Sequence, residues 1–138
     1  MITTGTVQKT EKIPIQNSSD VVAVRQRVRA WVLEMKFSLV EQTKIVTAAS
    51  ELGRNTLEHG GGGFLELAQV ANGSRSGIRL RFSDNGPGIE NVELALKDGY
   101  TSGQGMGLGL GGSKRLMNEF EIESKLNVGT TVTVIRWK

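Results

Sequence analysis

Glycine is the residue that most constrains how this chain can fold. Of the 138 residues, 18 are glycine, and many of them are concentrated in two segments, Gly60–Gly63 and Gly99–Gly112. Glycine is favoured where a backbone needs a positive φ or must pass close to another group. Two such segments in so short a chain indicate loops that turn sharply or approach a ligand.

The first sixty residues predict one strand followed by two helices. A strand is expected over Thr6–Ile15. A residue within Ser18–Asp20 can cap a helix that runs to about Lys36, and a second helix is expected over Leu39–Glu58, ending at the first glycine run. The strand side chains expected to be buried are Val7, Ile13 and Ile15.

The remaining sequence predicts two hairpins separated by a helix. Strands are expected over Phe64–Val70 and Gly77–Ser83, because an Asn-Gly turn signal lies between two apolar runs. A helix is expected over Met106–Asn118. Two closing strands follow, over Glu119–Lys125 and Thr130–Trp137. A short helical patch is also expected near Val92–Lys97.

This order of elements predicts a two-layer α/β sandwich. A mostly antiparallel mixed sheet should be covered on one side by helices. A doubly wound fold is not expected, because strands and helices do not alternate regularly. The length fits one domain spanning residues 1–138.

Composition excludes several functional classes. The chain has no cysteine, which rules out disulfides and thiolate metal sites and suits a reducing cytoplasm. The N-terminus has no signal-peptide pattern, and no apolar stretch is long enough to span a membrane, so a cytoplasmic protein is expected. Aromatic residues make up only 5% of the chain, which argues against a nucleic-acid-binding platform.

The second helix carries a polar pair of possible chemical use. Glu51 and Asn55 are four residues apart and therefore lie on one helical face. Their oxygens suit Mg²⁺, which keeps few protein ligands and relies on phosphates and water for the rest. The carboxylate could instead accept a proton from an attacking hydroxyl. Polar residues on one face of a helix are, however, usually only solvated.

Two glycine motifs complete the set of candidates. Asp84-Asn85-Gly86-Pro87-Gly88 follows a strand directly, so Asp84 can point into a site and accept a hydrogen bond from an amine such as that of adenine. An ordinary turn is the alternative. The second motif, Gly103–Leu110, precedes a helix and can bind phosphate through backbone N–H groups, or it can be a flexible loop.

Taken together, these motifs resemble those of the GHKL (Bergerat-fold) ATPase superfamily. Glu51–Asn55 is similar to its N box, and Asp84-x-Gly86-x-Gly88 to its first glycine box. Gly105-x-Gly107-x-Gly109 is similar to the second glycine box, and Gly129-Thr130-Thr131 to the last box. The resemblance implies that Asn55 holds Mg²⁺, Glu51 is the general base and Asp84 binds the adenine amine of ATP. It also implies further nucleotide contacts from Gly86, Gly88, Gly105, Gly107, Leu108, Gly109 and Thr130.

Within that superfamily the chain resembles the small anti-sigma-factor serine/threonine kinases. Asp98–Gly103, Lys114–Phe120 and the ending Arg136-Trp137 carry this resemblance. It implies a short ATP lid between Gly88 and Gly105. It also implies phosphorylation of a STAS-domain antagonist in a bacterial partner-switching pathway, and a second partner such as a phosphatase or sigma-factor regulator. One departure is Gly111-Gly112, where a proline or larger residue is expected, and the extra glycine should weaken the helix.

Two other functions share the same motifs. The chain could be an anti-sigma factor that sequesters a sigma factor with ATP as a ligand, or the ATPase fragment of a histidine kinase. The histidine-kinase fragment is disfavoured because the sequence supplies no acceptor helix pair. His59 is therefore expected to cap the second helix rather than to accept phosphate.

Overall fold

A computed structural model describes residues 5–97 and 109–138 of the chain. Its helices and strands follow the predicted order closely. They are β1 (Thr6–Ile15), α1 (Ser18–Glu34), α2 (Leu39–Glu58), β2 (Gly63–Asn72), β3 (Arg75–Asp84), α3 (Val92–Ala95), α4 (Gly109–Leu116), β4 (Glu119–Lys125) and β5 (Gly129–Trp137).

The strands form a five-stranded sheet in the order β1-β2-β3-β5-β4, and every pairing in the described residues is antiparallel. The β2–β3 register pairs Gly63 with Asp84 and Asn72 with Arg75, which confirms the hairpin predicted from Asn72-Gly73. Helices α1 and α2 lie together on one face of this sheet. The predicted sandwich, covered on one side by helices, is confirmed.

The core lies between the helical layer and the covered face of the sheet. Helix α1 contributes Val24, Val28, Trp31 and Val32, which recur at helical spacing as predicted. The covered face of the sheet contributes alternate strand residues, as period-2 patterning requires. Those buried on the strands include Ile13, Ile15, Leu65, Leu67, Ile78, Leu80, Phe82, Val132 and Val134.

Side-chain caps fix where the two long helices begin. Ser38 accepts from the Glu41 backbone N–H while Glu41 reaches back to Ser38, a complete capping box for α2. The cap of α1 is Asn17, whose side chain accepts from the Asp20 N–H. The prediction that Ser18–Asp20 supplies this cap is therefore wrong by one residue, because Asn17 has the extended backbone that an N-cap needs.

The prediction that Val7 is buried is also wrong, since Val7 is 44% exposed. The β1–β2 register shifts between Val7 and Lys9, which is an irregularity of one residue in β1. One extra residue reverses the alternation of side chains across the sheet. Ile13 and Ile15, beyond the irregularity, are buried as predicted.

Predicted helix ends differ from the observed ends by a few residues. Helix α1 stops at Glu34, and Lys36 follows with φ 63°, a left-handed conformation that ends a helix. Helix α3 stops at Ala95 rather than near Lys97. Helix α4 begins at Gly109 among the described residues and stops at Leu116. Residues 106–108 of the predicted helix lie outside the described ranges.

The packing around Gly111 explains why α4 has a glycine where a larger residue was expected. A Cβ added at Gly111 would overlap the backbone carbonyl of Leu96. The glycine therefore lets α4 pack directly on the chain that follows α3. Glycine is expected to lower the stability of the helix by about 1 kcal/mol, but it permits this close backbone contact.

A polar cluster links β1 to α1 at the edge of the core. The Arg27 guanidinium donates to both oxygens of the Glu11 carboxylate, at 2.8 and 2.9 Å, and the Trp31 indole N–H donates to the same carboxylate at 2.9 Å. The Arg27 hydrogen bond is the main reason why the pKa of Glu11 is lowered, although partial burial opposes this shift. Trp31 also adds to the lowering of the pKa.

This cluster predicts an acid-sensitive contribution to stability. Because the pKa of Glu11 is lower in the folded than in the unfolded state, its stabilising effect is complete above the unfolded value near 4.5. The effect is lost as pH falls through the lower folded pKa. Glu11→Gln should therefore lower the melting temperature at pH 7, and the two proteins should converge as the pH falls well below 4.5.

Glu34→Gln is the matched control, because Glu34 is 76% exposed and lies 4.0 Å from its partner Lys9. Its melting temperature should stay near that of the unsubstituted chain at both pH values. A deficit in Glu11→Gln that is as large in acid as at pH 7 would contradict the linkage.

Candidate functional site

The two polar residues predicted on the second helix lie on α2 and are both half-buried. The Glu51 side chain is 14% exposed, and its Oε1 accepts a hydrogen bond from Arg54 Nη1 at 3.1 Å. Next to this polar face, α2 packs Ile45, Ala48 and Leu52 into the core as predicted. Glu51 and Asn55 are thus held at the edge of the core without being sealed inside it.

The end of α2 brings this face towards the end of β3. The Asn55 backbone carbonyl accepts from the N–H groups of His59 and Gly60, at 3.0 and 3.1 Å, and these bonds close the last turn. Gly60 then lies directly against Asp84, because a Cβ added at Gly60 would overlap the Asp84 Cγ. Gly60 is therefore a close-approach glycine, and the helix end and the strand end meet there.

Two backbone donors hold the Asp84 carboxylate in place. Asp84 Oδ1 accepts from the Gly86 N–H at 2.9 Å and from the Thr130 N–H at 3.2 Å. Thr130 is 6% exposed, and its hydroxyl lies 2.8 Å from that of Ser124. Because both bonds use Oδ1, the other oxygen, Oδ2, receives no hydrogen bond from the described residues, and it lies next to Gly60.

The first glycine motif is anchored on both sides. On one side, His59 Nε2 donates to the Gly88 carbonyl at 3.1 Å, so the cap of α2 also holds the loop. On the other side, the Asn127 N–H donates to the Pro87 carbonyl at 2.8 Å and the Ile89 N–H donates to Ser124 Oγ at 2.7 Å. The loop after Asp84 is therefore fixed between α2 and the β4–β5 turn.

The second glycine motif falls mostly outside the described residues. Gly105, Gly107 and Leu108, predicted to contact nucleotide, lie in the segment 98–108 that the structure does not describe. Gly109 is the first residue of α4, with φ 70°, and α4 packs against α2. The helix that should follow a phosphate-binding loop is thus next to the helix that carries Glu51 and Asn55.

The described residues offer few candidate metal ligands. In residues 5–97 and 109–138, no group of three or more His, Cys, Asp or Glu side chains could hold a metal ion. Asn55 offers one carboxamide oxygen, which fits a cation such as Mg²⁺ that takes most of its ligands from phosphates and water.

In residues 5–97 and 109–138, no helix is both long and apolar enough to cross a membrane.

Comparison with known proteins identifies the family. The sequence profile described as "Histidine kinase-, DNA gyrase B-, and HSP90-like ATPase" matches residues 40–138. The chain belongs to this ATPase family. The match covers α2 from its second residue and every later element, and therefore all the site residues described above.

Individual relatives show which members of this ATPase family the chain is similar to. Serine/threonine-protein kinase RsbT of Bacillus subtilis is 38% identical over 125 residues, covering 91% of this chain and 94% of the relative. An anti-sigma F factor of Anoxybacillus flavithermus is 34% identical, covering 81% of this chain and 80% of the relative. The chain is thus a homologue of the RsbT kinase and of the anti-sigma F factors.

A solved structure shows the same fold. The crystal structure of the RsbU and RsbW domains of a Mycobacterium tuberculosis protein superposes with a TM-score of 0.65 at 22% identity. That match covers 95% of this chain and 33% of the longer one. The α/β sandwich derived from the sequence is therefore the fold of this ATPase family.

Some residues of the site were not predicted as site residues. Ser124 joins β4 to Thr130 and to Ile89, and only its position in the final hairpin could have indicated it. The close contact of Gly60 with Asp84 could have been suspected from the glycine run alone. Arg54 lies within the Glu51–Asn55 motif, but no role was predicted for it, because an arginine on a helix is usually solvated.

The contact between Gly60 and Asp84 gives a direct test of the site. Gly60→Ala should displace the Asp84 carboxylate, and a steric conflict of this kind costs about 1–3 kcal/mol. We expect the affinity for ATP, measured by titration calorimetry, to fall roughly tenfold or more.

Gly53→Ala is the matched control on the same helix. An added Cβ there lies 3.8 Å from the nearest atom, in Phe82, which is an ordinary contact. This variant should bind ATP normally and melt at a higher temperature, since alanine favours a helix interior by about 1 kcal/mol. Normal ATP affinity in Gly60→Ala would show that Asp84 does not depend on the close contact.

Proposed function

We propose that this chain is an ATP-dependent protein serine/threonine kinase that phosphorylates a STAS-domain antagonist in a bacterial partner-switching pathway. The observation that carries the proposal is the placement of Glu51 on α2, whose last turn abuts Asp84 through Gly60. One helix thereby connects a possible base with a possible adenine site. The identity of 38% with the RsbT kinase supports the same activity.

Asp84 would select the base of the nucleotide. Its Oδ1 is already used by the Gly86 and Thr130 N–H groups, so Oδ2 would accept the exocyclic amine of adenine. Guanine presents a carbonyl oxygen at the corresponding position, which would face a carboxylate without a proton between them. A buried acceptor of this kind rejects the wrong partner because its own hydrogen bond would be lost.

Asn55 would hold Mg²⁺ together with the phosphates of ATP, and the metal would neutralise charge on the polyphosphate during transfer. The N-terminal turn of α4 would add backbone N–H groups on the phosphate side. Gly86 and Gly88 would shape the floor of the pocket. Gly105, Gly107, Leu108 and Gly109 would form the phosphate loop, and Thr130 would hold Asp84.

Glu51 would orient the acceptor hydroxyl and take its proton. Phosphoryl transfer depends mainly on positioning and on neutralising charge, so a carboxylate near the reacting oxygen is sufficient protein chemistry. The Glu51 side chain is shielded from most solvent, which favours transfer to a bound protein hydroxyl over transfer to water.

The wider biological setting belongs to the same proposal. The chain would act as one domain spanning residues 1–138 in the cytoplasm, without nucleic-acid or membrane partners. Besides its STAS-domain substrate, it would bind a second regulatory partner such as a phosphatase or a sigma-factor regulator. Lys114 and Arg115 on α4 are exposed and could contact an acidic partner surface.

The identity of 34% with an anti-sigma F factor favours a second candidate function. The chain would then sequester a sigma factor, with ATP as a ligand that sets its conformation. The nucleotide site would be the same in both cases. A substitution at Glu51 separates them, since sequestration requires no proton acceptor.

Substitutions at the two ends of the site should therefore have different effects. Glu51→Gln should reduce transfer of γ-phosphate to a STAS-domain protein by roughly 10²- to 10⁴-fold, the usual contribution of a general base. Its affinity for ATP should be retained. Asp84→Asn should abolish transfer because it weakens ATP binding itself, as the carboxamide can present N–H groups to the amine.

The measurements are radiolabelled phosphate transfer to the STAS-domain protein encoded nearest to this chain's gene, and titration calorimetry with ATP and Mg²⁺. Asn55→Ala should lose the magnesium dependence of ATP binding. Full transfer by Glu51→Gln would remove Glu51 from the mechanism. Absence of any transfer by the unsubstituted chain, together with stable capture of a sigma factor, would favour the second candidate.

A further inference from the structure

Glu51 has a cationic partner on its own helix. Arg54 Nη1 donates to Glu51 Oε1 at 3.1 Å, three residues along α2. The two side chains differ in exposure, because Arg54 is 39% exposed and Glu51 is 14% exposed. Within the described residues, Arg54 is the group that donates a hydrogen bond to the Glu51 carboxylate.

The Arg54–Glu51 ion pair is expected to contribute little to the stability of the fold. Ion pairs three residues apart on a helix surface contribute little to folding, because solvent screens them and both side chains lose freedom. A carboxylate that is largely removed from water nevertheless loses hydrogen bonds to solvent, and a donor from the protein replaces them. Arg54 supplies that donor from the solvent side, where the guanidinium itself stays hydrated.

The geometry also restricts how Glu51 can turn. A guanidinium is planar and rigid, so a bond from Nη1 to Oε1 limits rotation of the carboxylate about its last torsion. Arg54 occupies one oxygen, and Oε2 receives no hydrogen bond from the residues in 5–97 and 109–138. One oxygen is therefore anchored and the other is free to accept a proton.

We propose that Arg54 is a positioning residue for phosphoryl transfer, one that anchors Glu51 Oε1 and leaves Oε2 for the acceptor hydroxyl. The inference rests on the proposed function of Glu51. In the step, the acceptor oxygen bonds to the γ-phosphorus while the bond from that phosphorus to the β–γ bridging oxygen breaks. The hydroxyl proton passes to Glu51 Oε2, and ADP is the leaving group.

Arg54→Met tests this role, because methionine keeps the apolar stem and the helix propensity but removes the charge. We expect kcat for transfer to the STAS-domain protein to fall roughly 10- to 100-fold, the effect of a misplaced catalytic group. The KM for ATP and the melting temperature should change little. Arg54→Lys can still donate to Glu51 and should restore part of kcat.

Arg27→Met is the control for loss of an ion pair elsewhere. Arg27 on α1 pairs with Glu11 on β1 at 2.8 Å, away from the site. This variant should lower the melting temperature without changing kcat. If Arg54→Met behaved like Arg27→Met, with reduced stability and normal kcat, the inference would be wrong.

A double-mutant cycle decides whether Arg54 acts through Glu51. If it does, Glu51→Gln and the double variant Glu51→Gln/Arg54→Met should transfer phosphate at the same residual rate. A further loss in the double variant would mean that Arg54 acts directly on the phosphates and would overturn the positioning role. Failure of the unsubstituted chain to transfer phosphate would instead count against the proposed function and would remove this inference with it.

Discussion

The contact between the end of α2 and the end of β3 holds the rest of the site together. Gly60 lies so close to Asp84 that no side chain fits between them. Because α2 also carries Glu51 and Asn55, this contact joins the helix that carries these two residues to the strand-end carboxylate. A side chain at Gly60 would displace the Asp84 carboxylate.

Hydrogen bonds extend that contact into a rigid frame. Thr130 brings β5 to Asp84, and Ser124 brings β4 to Thr130. His59 ties the cap of α2 to the Gly88 carbonyl. The frame therefore uses the ends of three strands and one helix, and it leaves one Asp84 oxygen and one Glu51 oxygen without hydrogen bonds from the described residues. These two oxygens are where a ligand and an acceptor would bind in the proposed function.

Much of this architecture could be read from the sequence because local rules dominate it. Apolar periodicity located α1 and α2, and Asn72-Gly73 located the first hairpin. The errors arose where tertiary pairing overrides local pattern. The irregularity in β1 exposed Val7, and no periodicity reveals a register shift set by β2. Gly111 looked unfavourable for a helix, because its contact with the Leu96 backbone is visible only in three dimensions.

The candidate site was likewise only partly predictable from the sequence. The motifs around Glu51, Asn55 and Asp84 could be recognised as patterns, and the structure places Asp84 at the end of β3 as expected. The contacts of those residues could not be predicted: Arg54 lies inside the Glu51–Asn55 motif, but its hydrogen bond to Glu51 is visible only in the structure, and Ser124 belongs to no recognised motif. Positioning residues depend on spatial contact alone, and their types vary widely for the same task.

A structure with a non-hydrolysable ATP analogue and Mg²⁺ bound tests the central claim most directly. The account predicts that the adenine amine lies within hydrogen-bond distance of Asp84 Oδ2, and that Asn55 contacts the metal beside the phosphates. Glu51 should then face the γ-phosphate from α2. An analogue bound elsewhere, or one bound with its adenine away from Asp84, would contradict the account.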